Sequence, residues 1–105
     1  MIIRFILLLL GALASGALYA QTPGSLKSDA DVERLFANTC GWCHSDGGRV
    51  KGKGPKLMGT QLTDSEIATR IKVGKPGYMP SFAAAFSEDD VQAIVHYIRG
   101  LKPRQ

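Results

Sequence analysis

The chain has 105 residues, 13 of them basic and 9 acidic, with a formal net charge of +4. That length holds one small domain and excludes a multidomain architecture. Two cysteines exclude a disulfide framework, so whatever Cys40 and Cys43 do, they do together.

Residues 1–20 read as a signal peptide. Arg4 is their only charge, residues 5–14 are all apolar or glycine, and small residues follow. Cleavage is expected after Ala20, with an earlier site at Ala12-Leu13-Ala14. An uncleaved membrane anchor is the alternative, but a spanning helix needs about 20 apolar residues. This run is shorter and is interrupted by Gly11, Ser15 and Gly16. Arg4 leaves with the segment, so 12 basic residues face 9 acidic ones, a charge of +3. Export places the domain in an oxidising compartment, the periplasm. So small a domain buries little surface and leans on a cofactor, metal or disulfide to complete its core.

Residues 21–28, with Pro23 and Gly24, are predicted to be a flexible lead to a domain over 29–102. A first helix starts near Ser28 or Asp29, with Asp29, Asp31 and Glu33 near its positive end. Val32, Leu35 and Phe36 form its apolar stripe, and it runs on to Cys40. Residues 46–61, with five glycines and Pro55, read as an irregular loop. Thr63 opens a second helix with Glu66 completing a capping box, Ile67 and Ile71 share a face, and Gly74 ends it. Residues 75–82, "KPGYMPSF", are turn-rich, and 83–86 read as a short helical turn. Ser87 opens a last helix with Asp90 three positions on, and Val91, Ile94, Val95 and Ile98 mark its buried face. Gly100 and Pro103 close it, leaving residues 103–105 as a tail. No segment alternates apolar and polar residues, so no sheet is predicted. The expected fold is all-α, with three to five helices and two long loops.

The chemistry sits in "CGWCH", residues 40–44. This spacing is the attachment signature of c-type haem. Two thiols add across the vinyl groups of the porphyrin, and the adjacent His44 supplies an axial nitrogen to the iron. A thioredoxin-type dithiol would require a strand ahead of the motif, where an amphipathic helix is predicted instead. A zinc site of Cys40, Cys43, His44 and His96 has poor ligand spacing, and a disulfide closing so small a loop stabilises little. Haem iron takes methionine as a frequent second ligand. Met58 and Met79 are the candidates, and Met79 is preferred for its loop, stiffened by Pro80, and its distance from His44.

Together these motifs resemble the class I cytochrome c family, over about Val32 to Leu101. "LFANTCGWCH" is similar to that family's first helix and haem site, with Phe36 at its aromatic position. "GKGPKLMG" resembles its Gly-Pro-x-Leu segment, which implies that the Pro55 carbonyl holds His44 and that Leu57 packs on the haem. "YMPSF" resembles the methionine-ligand loop, and "VQAIVHYIRGL" the C-terminal helix with Tyr97 at its aromatic position. Val32 departs from the family's usual glycine at the crossing of first and last helices, which implies a wider crossing or a shifted Tyr97.

The resemblance implies a fold wrapped around one covalent haem c, ligated by His44 and Met79. With both axial positions filled by protein, oxygen or peroxide chemistry is disfavoured and one-electron transfer remains. Methionine ligation and burial imply a positive potential. The expected protein is a monomeric carrier and not an enzyme. It would exchange electrons with redox proteins: a periplasmic dehydrogenase as donor, an oxidase or other cytochrome as acceptor. A dithiol-disulfide oxidoreductase is the alternative if no haem is attached. No small-molecule substrate or nucleic acid is expected, and membrane contact only if residues 1–20 are retained. Arg49, Lys51, Lys53 and Lys56 read equally as a docking patch for an acidic partner or as a solvated loop. Trp42 reads as a cover for a haem edge or as an exposed residue, and His96 as a half-exposed helix residue.

Overall fold

The computed structural model describes residues 22–105. The expected signal peptide, residues 1–20, lies outside the described residues. Three α-helices carry the described part: α1 (Asp29–Asn38), α2 (Asp64–Val73) and α3 (Glu88–Arg99). The Ser28 side chain caps α1 by accepting from the Asp31 N–H. Thr63 with Glu66 and Ser87 with Asp90 form reciprocal capping boxes at α2 and α3. Among the described residues no helix is long and apolar enough to cross a membrane.

Each helix buries the face its periodicity marks. Val32, Leu35 and Phe36 of α1, Ile67, Ala68 and Ile71 of α2, and Val91, Ile94, Val95, Tyr97 and Ile98 of α3 form one core with Leu26 and Phe86. The α1–α3 contact brings the Phe36 and Tyr97 ring centroids to 5.1 Å. Val32 is fully buried there, so the crossing takes a β-branched residue and keeps the aromatic pair. Arg99 fastens the end of α3 to the entrance of α2: its guanidinium donates to Asp64 at 2.6 Å, to the Thr60 carbonyl at 3.2 Å and to the Leu62 carbonyl.

Two expectations need correction. A sheet exists, though a minimal one: β1 (His44–Ser45) pairs antiparallel with β2 (Val50–Lys51), His44 opposite Lys51. Two-residue strands are too short to show alternation, and one-turn 3₁₀ segments at Cys40–Trp42 and Asp46–Gly48 flank them. The lead over 22–28 is tied down where a free segment was predicted. Leu26 is buried, and the Asp90 carboxylate accepts from the backbone N–H of Gly24 and of Leu26, the latter at 3.1 Å. Each contact spans more than 60 residues of sequence, beyond the reach of local patterning.

Candidate functional site

The site is built by the segment after α1 and the glycine-rich loop that folds back over it. α1 stops at Asn38, and the 3₁₀ turn at Cys40–Trp42 brings the Cys43 N–H onto the Cys40 carbonyl at 3.2 Å. Both thiols are free and half-buried. Burial pushes the Cys40 thiol up to about 11, only partly offset by a backbone hydrogen bond, so it stays protonated at neutral pH.

His44 follows, with 8% of its surface exposed. Its Nδ1 lies 2.8 Å from the Pro55 carbonyl oxygen. A carbonyl can only accept, so Nδ1 carries the proton and donates. In the neutral ring that leaves the Nε2 lone pair as the metal-binding atom, with its orientation fixed. The loop is fastened around this bond. The Gly54 N–H donates to the Cys43 carbonyl at 2.8 Å, and the Gly48 carbonyl accepts from Leu57 at 2.8 Å and Met58 at 3.0 Å. Leu57 packs against the core, as does Cys40.

Met79 is placed by a different device. Gly74 caps α2 with φ +72°, its N–H on the Arg70 carbonyl at 2.8 Å. The chain then closes a tight loop in which Lys75 N–H donates to Met79 O and Met79 N–H to Lys75 O, each at 2.8 Å. The Phe82 N–H returns to the Ile71 carbonyl at 3.0 Å, anchoring the far side. Met79 is half-buried in this rigid loop, and Met58 is half-buried in the other.

The structure thus ties His44 to Pro55 and Cys43 to Gly54, packs Cys40 and Leu57 against the core, and holds Met79 on the separate loop after α2. The donor set fits a covalent haem: two free thiols one turn apart, a tautomer-fixed imidazole and a thioether. It does not fit zinc, because among the described residues no three His, Cys, Asp or Glu side chains converge. His96 is exposed on α3. Trp42 is 80% exposed, its indole N–H on the Asn38 carbonyl at 3.2 Å. Of the basic cluster, Arg49 is engaged with the C-terminal tail, its Nε on the Lys102 carbonyl at 2.7 Å, whereas Lys51, Lys53 and Lys56 are exposed and pair with no carboxylate among the described residues.

Sequence reasoning placed Gly54 in the Gly-Pro-x-Leu segment but gave it no contact. A Cβ built there would lie 2.7 Å from His44 Cε1. The signal was present in "GKGP", where a glycine precedes the proline, but the ring it faces is ten residues away.

Residues 27–98 match the family described as cytochrome c oxidase, cbb3-type, subunit III. The chain is 32% identical over 72 residues to a cytochrome c6 of Euglena gracilis, a match covering 61% of this chain and 82% of that protein. It is 35% identical over 74 residues to the cbb3-type cytochrome c oxidase subunit CcoP of Rubrivivax gelatinosus, covering 66% of this chain but 24% of that protein. Among solved structures, the c-type cytochrome NirC superposes with a TM-score of 0.56 at 27% identity, covering 66% of this chain and 85% of that one.

Proposed function

The chain belongs to the cytochrome c family, in the group described as cytochrome c oxidase, cbb3-type, subunit III, and on that premise we propose that it is a periplasmic one-electron carrier whose haem c is attached through Cys40 and Cys43 and ligated by His44 and Met79. When bound, the haem supplies an iron couple that accepts and releases single electrons. The chain's own residues do the rest. Cys40 and Cys43 hold the group covalently, Pro55 keeps the proton on His44 Nδ1, and the loop closed by Gly74 and Lys75 presents Met79. Leu57 and the apolar core limit access of water. With His44 and Met79 both holding the group, no position would remain open for a substrate.

The observation that carries this reading is the hydrogen bond between His44 and Pro55 at 2.8 Å. It serves a histidine that must offer Nε2 in one fixed orientation and serves no purpose for a dithiol. The dithiol oxidoreductase fares worse on a second count. Its attacking thiol would need a lowered pKa, and the Cys40 thiol is raised to about 11. Donor and acceptor are redox proteins: a periplasmic dehydrogenase on one side, an oxidase or another cytochrome on the other. The likeness to an oxidase subunit supports the second assignment.

The test is an optical spectrum of protein expressed with haem-maturation factors, oxidised and then reduced. Sharp reduced haem c bands are expected, with a weak far-red ferric band of iron–sulfur ligation that disappears in Met79→Ala and persists in Met58→Ala. Loss of that band only in Met58→Ala would reassign the ligand. A colourless wild type with a reducible Cys40–Cys43 pair would replace the carrier by the dithiol enzyme.

A further inference from the structure

We propose that the tail after α3 is a clasp for the hairpin that carries His44, and that Arg104 and Arg49 are positioning residues for that histidine. This rests on the reading of His44 as a haem ligand. β1 and β2 pair over two residues each, so the hairpin has little strength of its own. Its turn is also costly. Asp46, Gly47 and Gly48 have φ of +51°, +64° and +96°, and Asp46 is the one non-glycine residue with positive φ among the described residues. A turn of that shape has to be held from outside.

Four contacts from the far end of the sequence hold it. The Tyr97 hydroxyl donates to the Gly47 carbonyl at 3.0 Å, and Arg104 Nε donates to Asp46 Oδ1 at 2.6 Å. Arg49 Nε donates to the Lys102 carbonyl at 2.7 Å. Gly48 packs against both the tail and the loop beyond Pro55: a Cβ there would lie 3.1 Å from Leu101 Cδ1 and 3.3 Å from Leu57 Cβ. The turn passes this hold on to the site. The Gly48 carbonyl accepts from Leu57 and Met58, just past Pro55, and the Pro55 carbonyl in turn accepts from His44. When the tail lets go, the turn lifts, Gly48 leaves Leu57 and Met58, and the acceptor for Nδ1 loses its fixed place.

The experiment follows three protons of the haem-loaded ferrous protein by NMR exchange: the Leu57 and Met58 amides and the His44 Nδ1 proton. Arg49→Ala/Arg104→Ala removes both side-chain tethers. Arg34→Ala/Lys72→Ala removes two exposed ion pairs and the same two charges from α1 and α2, which matches the loss of charge and of general stability. Each exposed tether is expected to contribute about threefold, so all three protons should exchange about tenfold faster in the arginine double variant. They should keep wild-type rates in the control. Arg104→Ala alone should give about a threefold increase, and Arg104→Lys, which keeps a charge for Asp46, should restore the wild-type rates. Equal rates in the two double variants, or unchanged rates in the arginine double variant, would overturn the assignment while leaving the haem reading intact. Should the arginine double variant yield no holoprotein, Arg104→Ala beside Arg104→Lys decides on the same protons. A colourless wild type would overturn the positioning role together with the haem reading.

Discussion

Gly74 does two jobs, and only one of them is local. Its left-handed φ of +72° ends α2, which the helix pattern anticipates. The other is packing: a Cβ there would lie 2.5 Å from the Met79 carbonyl oxygen and 2.6 Å from Pro80. Alanine at 74 is therefore opposed by both backbone strain and collision. We expect Gly74→Ala to cost about 2–3 kcal/mol in urea unfolding and to weaken the far-red ferric band by loosening the Met79 loop. An intact band with lowered stability would separate the loop from the ligand. The same division runs through the rest of the site. Cys40, Cys43 and His44 were legible because their spacing is itself the chemistry. The contact of Gly54 with the His44 ring was not, because it is made across a fold-back.

At the scale of elements, Asp90 joins what the sequence kept apart. It was legible as half of a capping box, and its N–H does donate to the Ser87 hydroxyl oxygen at 3.1 Å. Its carboxylate, fully buried, also accepts from Ser87 N–H at 3.0 Å and from Gly24 and Leu26 in the lead. Burial pushes this carboxyl up, but the backbone donors outweigh it and hold it below the usual carboxylate range. As pH falls, the unfolded chain therefore takes up a proton before the native one does. The stabilisation is complete above the ordinary aspartate range of about 3.9 and fades as pH drops toward the lowered native value. Asp90→Ala should cost about 3 kcal/mol at neutral pH. Urea titrations from about pH 7 to about pH 3 should show the gap to wild type closing only at the acid end. A gap that stayed constant would mean that packing, not ionisation, sets the cost. The helices were legible because capping and periodicity agree at every one of them. The lead and the two-residue strands were not, because a long-range latch and one pair of rungs leave no periodic trace.

Across the whole molecule the charges are segregated. Between Asp46 and Asp64, and again between Glu66 and Glu88, the sequence has no carboxylate side chain. The acids at the borders are spent internally: Asp46 pairs with Arg104 at 2.6 Å, Asp64 with Arg99 at 2.6 Å and Glu88 with Lys72 at 2.9 Å. Lys51, Lys53 and Lys56 keep their charges exposed on the loop that carries Pro55. If that loop steers docking, replacing the three with Glu should slow electron transfer to an acidic redox protein about tenfold or more at low salt. The difference should shrink as ionic strength rises. Equal rates at low salt would leave the lysines as solvating groups. The sequence showed the cluster but counted Arg49 in it, and only the fold shows that this guanidinium closes on the tail.

The latch between Gly24, Leu26 and Asp90 also sets an order of events in time. Chains are made and delivered N-terminus first, so Cys40, Cys43 and His44 emerge long before α3 exists to receive either α1 or the lead. Until Glu88–Arg99 arrives, Phe36 has no Tyr97 and Gly24 has no carboxylate to bind. Cys40, which packs against the core that α3 completes, is therefore more open to a modifying enzyme during that interval than afterwards. Arrival of the last helix among the described residues narrows that window.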